Sequence, residues 1–236
     1  MAAAFRSISF TTYAARTNTT VSAPAGIQND DLLLAIIQVG ATGTAPTPTP
    51  PAGFSLIAGF PASVTDGSGF NGKVYAWYKT ASGESGSYTI THAAANSGGL
   101  MICYSGAFVG SPAATVATGF GTTPTATGLT TSEDNDLVVY LDAIWQNYLG
   151  TASPPAGSTP TFTERMDDTT TLFYVADGNL AVAGATGNKS HSVNNMAGDP
   201  WMAFLFDIKA FAFAVPTGGW NPILTQANSL KTLGAR

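Results

Sequence analysis

Cysteine is nearly absent from this sequence: Cys103 stands alone among 236 residues, which excludes any internal disulfide framework. A reducing cytoplasm is then the simple expectation for its synthesis. Lying in the apolar run 100–104, Cys103 reads as a small buried side chain. Charge is scarce as well. Asp, Glu, Lys and Arg together make up 10% of the chain, against roughly 25% in ordinary globular domains. The net charge is −5 and the basic residues are scattered singly from Arg6 to Arg236. Without a basic stripe to neutralise phosphates, nucleic acid is excluded as a partner. No apolar run reaches the roughly 20 residues of a membrane span. The first residues, Met1-Ala2-Ala3-Ala4-Phe5-Arg6, lack the basic and apolar regions of a secretory signal.

Histidine is limited to His92 and His191, so no zinc set can be completed from His and Cys. A serine hydrolase would need Ser, His and an acid in contact. Ser105-Gly106 follows an apolar run but lacks the Gly-x-Ser-x-Gly elbow. Carboxylates gather at Asp30-Asp31, at Glu133-Asp134-Asp136 and at Asp167-Asp168, yet calcium-loop spacing is missing. The first two clusters stand where buried strands begin, with their charge left in water. These absences leave no catalytic residue, no metal site and no cofactor to expect, and the chain reads as a non-enzyme.

What the sequence does have is punctuation: 26 Gly and 14 Pro break it into short apolar or alternating runs. Helical periodicity is scarce, and the fold class is all-β. Strands are expected at 6–10, 31–38, 54–58, 73–80, 87–92, 100–104, 136–145, 161–166, 172–176, 181–183, 190–193 and 201–213. Asp66-Gly67 and Asp177-Gly178 read as turns, the second as a hairpin. The stretch 42–51, rich in Pro and Thr, predicts an extended surface connection of polyproline character.

The most informative pattern is an internal repeat. Asn29-Asp30-Asp31-Leu32-Leu33-Leu34 is matched by Asp134-Asn135-Asp136-Leu137-Val138-Val139. Pro50-Pro51-Ala52-Gly53 is matched by Pro154-Pro155-Ala156-Gly157, and the runs after them follow in the same order. A period of about 100 residues is too long for a solenoid. Halves of roughly five strands cannot bury their apolar faces alone, so two of them must pack face to face or interleave. The expected architecture is a two-sheet, jelly-roll-like β-sandwich domain over 1–213, with duplicated halves at about 29–107 and 134–210. A C-terminal arm occupies 214–236. Its apolar residues Trp220, Ile223, Leu224, Leu230 and Leu233 are candidate interface contacts. Trp145, Gln146 and Tyr148, aromatic and amide groups just beyond a buried strand, are candidate glycan contacts.

Asp-Leu-Leu-Leu-Ala (31–35), Pro-Pro-Ala-Gly-Phe (50–54), Tyr-Ala-Trp-Tyr-Lys (75–79), Ser-Tyr-Thr-Ile-Thr (87–91) and Tyr-Ser-Gly-Ala (104–107) follow one another in order. In that order they resemble a β-sandwich module of tailed-bacteriophage virion proteins, a group of capsid decoration, head-fibre and tail-associated proteins. The resemblance spans about residues 5–212 and rests on strand signatures. It implies a non-enzymatic virion component, made in the host cytoplasm and often trimeric. Its implied partners are its own copies, in a homotrimer, and the major capsid protein or another virion protein. A capsid decoration (cement) protein is the leading expectation; a tail-associated receptor- or glycan-binding module is the alternative.

Overall fold

The computed structural model describes residues 2–108, 110–145, 155, 159–193 and 198–211. Among them the chain is all-β, and two antiparallel sheets face each other as a sandwich. The first sheet holds β1 (Ala4–Ser22), β2 (Leu32–Thr42), β3 (Ser55–Leu56), β4 (Ala62–Thr65), β5 (Phe70–Thr80) and β6 (Ser87–Ser105). Its order is β1-β6-β2-β5-β3, with β4 also paired to β5. After β7 (Ala113–Phe120) and β8 (Thr125–Ala126) come β9 (Asp136–Ile144), β10 (Thr163–Asp168), β11 (Phe173–Leu180), β12 (Lys189–Ser190) and β13 (Pro200–Ile208). The second sheet runs β10-β11-β9-β13-β7, and β8 pairs with β12 in a separate strip.

The repeat is therefore built into the topology. In each sheet the strand that begins at or directly after an aspartate (β2 after Asp31, β9 at Asp136) is central, flanked by the counterparts β5 and β11 on one side and β6 and β13 on the other. Apart from the edge strands β1 and β7, which precede the two repeated halves in sequence, each sheet comes from one half, so the halves meet face to face rather than interleaving. Local chemistry repeats too. Asp30 and Asn135 both adopt a left-handed backbone, φ 69 and 66, a conformation that Asn and Asp tolerate better than other side chains. Their amides donate to Ala81 O (3.0 Å) and Leu180 O (2.9 Å). Asn29 and Asp134 each accept an amide at 2.8 Å, from Gly83 and Ala183. Asp31 and Asp136 each accept the amide three residues back, at 2.8 and 3.1 Å. The acidic clusters at the strand starts are thus turn-formers, but the expectation that their charge stays in water is corrected for Asp31 and Asp136, which are both buried.

Three apolar layers result. Between the sheets lie Leu34, Ile36, Ile102, Val139, Leu141, Phe204 and Phe206 with their neighbours. The outer face of the first sheet is covered by Ala45 and Phe54 and by Tyr88 and Ile90 of the folded-over start of β6. That of the second is covered by the β8–β12 strip and the residues around it, including Leu129 and Val193. Strands central to such a stack are buried on both faces, which is why β2, β9 and β13 read as continuous apolar runs.

Several expectations are corrected. The runs 87–92 and 100–104 belong to one bent strand, β6, joined through small residues 93–99. β1 extends far past residue 10 because Ser, Thr and Asn suit a half-exposed edge. β4 and β7 occupy stretches that carried no strand signal. Asp177-Gly178 is no hairpin but the middle of β11. There the Thr161 carbonyl lies so close that a Cβ on Gly178 would fall 2.3 Å from it, a close backbone approach that requires glycine. The Pro-Thr stretch is extended, as expected, but pinned: Thr49 exchanges backbone hydrogen bonds with Thr91 (2.8 and 3.2 Å), and Ala45 and Pro48 are buried.

Candidate functional site

Two groups of buried polar residues sit on the outer face of the second sheet. The first is held by β9, β11 and the chain after β12. Along β9, residues 138, 140, 142 and 144 face outward, so the alternation places Asp142 between Tyr174 and Ala203 of the neighbouring strands. From the covering strip, Lys189, His191 and Val193 face inward and are all buried. His191 Nδ1 lies 2.6 Å from Asp142 Oδ2, with no exposure on either side chain. The Tyr140 hydroxyl lies 3.2 Å from the same carboxylate oxygen, and the Tyr174 ring stacks on the imidazole at 4.0 Å. Burial pushes the Asp142 carboxyl up, against the opposing pull of His191 and Tyr140. It pushes the Lys189 ammonium down. His191 Nε2, Asp142 Oδ1 and the Tyr174 hydroxyl make no hydrogen bond among the described residues. A His–Asp pair is half of a general-base arrangement, but this one is sealed from solvent. Its effect is to hold the strip onto the sheet.

The second group lies at the end of the sandwich where β9 starts and β13 finishes. Asp136 and Asp207 are both buried and adjacent. Asp207 is raised to about 7, by burial first and then by the Asp136 charge, because two like charges in one buried place cannot both ionise cheaply. The first half shows what is missing. There Arg6 Nε sits 2.7 Å from Asp31 Oδ2, and the buried Cys103 thiol lies 3.4 Å from the same oxygen. Asp207 takes the Cys103 position. Lys209, the nearest cation, turns its Nζ to Ser132 Oγ at 2.8 Å. Outside this pair, Phe108, Glu133, Lys209 and Ala210 line a shallow depression of about 230 Å³. Phe108 is 49% exposed.

The residues singled out from the sequence are dispersed. His92 and His191 serve separate layers: His92 meets the Thr19 and Ser97 hydroxyls at 3.1 and 3.2 Å. Among the described residues no three His, Cys, Asp or Glu side chains converge on a metal position. Cys103 is buried, as expected, and its thiol is pushed up to about 12, by burial and then by Asp31. Trp145 is fully buried in the central core, its ring against Gly72 and Phe70; it offers no face for a sugar to stack on. Gln146 and Tyr148 lie outside the described residues, as do the arm residues Trp220, Ile223, Leu224, Leu230 and Leu233. Sequence reasoning missed Asp142 because it sits inside an apolar run. It missed Lys189 because nothing local marks a buried lysine; the only available signal was the alternation Lys189, His191, Val193 on one face. No family model, no curated protein and no solved structure matches the chain.

Proposed function

We propose that this chain is a non-enzymatic structural protein of a tailed-phage virion, a decoration protein seated on the capsid. The observation that carries this is the end of the sandwich around Phe108 and Lys209. An exposed aromatic ring, Phe108, and a shallow depression flanked by Glu133 and Lys209 lie just past the end of β13, ahead of segment 214–236 in the sequence. Such a surface suits docking onto a larger protein rather than enclosing a small molecule, for which pockets are usually deeper and apolar. The low charge of the chain and its strand signatures support the same role. Its partners would be the capsid shell and its own copies, and its place the assembled virion.

The test is a binding assay with particles stripped of this protein. The full chain should rebind saturably, and a chain ending at residue 215 should keep its β-sheet circular dichroism while losing at least tenfold in affinity. Equal binding by the shortened chain, or no rebinding by the full chain, overturns the proposal.

A further inference from the structure

Among the described strands the two main sheets expose four edges, and three of them are blunted by devices that discourage strand addition. β1 has register shifts at Phe5/Ser7, Thr11/Ala14 and Arg16/Asn18. It carries Arg6 and Arg16, and its Tyr13 amide is tied to Thr170 O at 2.7 Å. The opposite edge of that sheet is made of β3 and β4, only 2 and 4 residues long. β10 is shifted between Glu164 and Met166 and bears Glu164, Arg165, Asp167 and Asp168.

β7 has none of these protections. Its 8 residues, Ala113–Phe120, run against β13 without a register shift and include neither charge nor proline. No Asp, Glu, Lys or Arg stands anywhere between Glu84 and Glu133. Val116 (39% exposed) and Phe120 (53%) project from the face of β7 that continues the central core. A strand edge with unpaired peptide groups and a half-covered apolar row is the surface that β-addition completes.

We propose that β7 is a self-association edge, pairing antiparallel with β7 of a second copy about a two-fold axis. The observations favour a second copy over another partner. An uncharged seam meets no like-charge repulsion in a chain of net charge −5, and it offers no charge to select an oppositely charged partner. Two-fold pairing also needs the partners opposite each other to share a face, hence an axis through a residue. With the axis at Thr118, Val116 falls opposite Phe120 of the second copy on both sides, so the exposed apolar row closes on itself. The two five-stranded sheets would then join into one continuous sheet. This inference is independent of the virion role, and it gives a pair in place of the trimer that the resemblance implies.

Sedimentation equilibrium of the full chain across the micromolar range tests it. The expected result is reversible association to twice the 24.1 kDa chain mass, with backbone amides of β7 gaining hydrogen-exchange protection as concentration rises. Thr118→Lys and Thr118→Glu, both at an exposed position, should each raise the dimer dissociation constant about tenfold or more, with the thermal melt unchanged at concentrations where the parent chain is monomeric. Thr12→Lys on the β1 edge should leave association intact. A monomer throughout, a trimer, or association untouched by both Thr118 variants overturns the proposal.

Discussion

At the scale of single residues, the contrast between Asp31 and Asp136 is the clearest consequence of the duplication. Both open a central strand and accept the same backbone hydrogen bond, but only Asp31 has an arginine. In the second half the neighbour is a second carboxyl, Asp207, which keeps its proton to higher pH than an ordinary aspartate does. Its folded value of about 7 lies above the ordinary 3.8, so between those values the folded chain binds more protons than the unfolded one. Stability conferred by that proton is complete below about pH 4 and is lost as pH rises through 7. Chemical denaturation should therefore show Asp207→Asn gaining on the parent chain between about pH 5 and about pH 8, by on the order of 2 kcal/mol. A constant difference across that range would place the proton elsewhere. This feature was not legible from sequence. Asp136 was visible as part of an acidic cluster, but its partner lies 71 positions away on a strand whose apolar pattern hid Asp207.

At the scale of elements, the two covering layers differ although the sheets beneath them correspond. Ile37 and Asp142 occupy matching places on β2 and β9. The layer over Ile37 brings Tyr88 and Ile90; the layer over Asp142 brings Lys189 and His191. A buried, hydrogen-bonded pair of polar side chains gives little net stability beyond that of apolar groups filling the same space, yet removing one partner strands the other. Asp142→Ala should therefore cost about 3–5 kcal/mol. The double change Asp142→Ile with His191→Leu, which imitates the first half, should recover most of that loss in urea denaturation. Failure of the double change to exceed the single one would show that the pair has no such coupling. What the sequence revealed of the elements follows the same physics. Strands buried on both faces, β2, β9 and β13, announce themselves as apolar runs. β7 and the part of β1 beyond residue 10 do not, because Ser, Thr and Ala satisfy a half-wet surface without alternation. Asp177-Gly178 misled because its glycine answers a tertiary contact, the Thr161 carbonyl, and not a turn. Asp177 itself is held by the Arg165 guanidinium at 2.8–3.0 Å.

At the scale of the whole molecule, the duplicated halves depend on each other. The apolar layer between the sheets draws from both: Phe60 stacks on Phe204 and Phe206, and Trp145 fills the space left by Gly72. Polar ties cross as well, from Gln38 Nε2 to Thr171 O at 2.6 Å and from Arg165 over the Phe5 ring at 4.6 Å. The repeated order of turns made the two halves readable from the sequence. Their face-to-face packing, with all but the edge strand of each sheet from one half, follows only from the pairing of β2 with β5 and β6 and of β9 with β11 and β13. Each sheet has an outer apolar layer of its own, but neither sheet is stable without the layer that the two share. Differential scanning calorimetry of the full chain tests this dependence most directly. A single transition with matching calorimetric and van 't Hoff enthalpies is expected; two resolved transitions, one for each half, would contradict it.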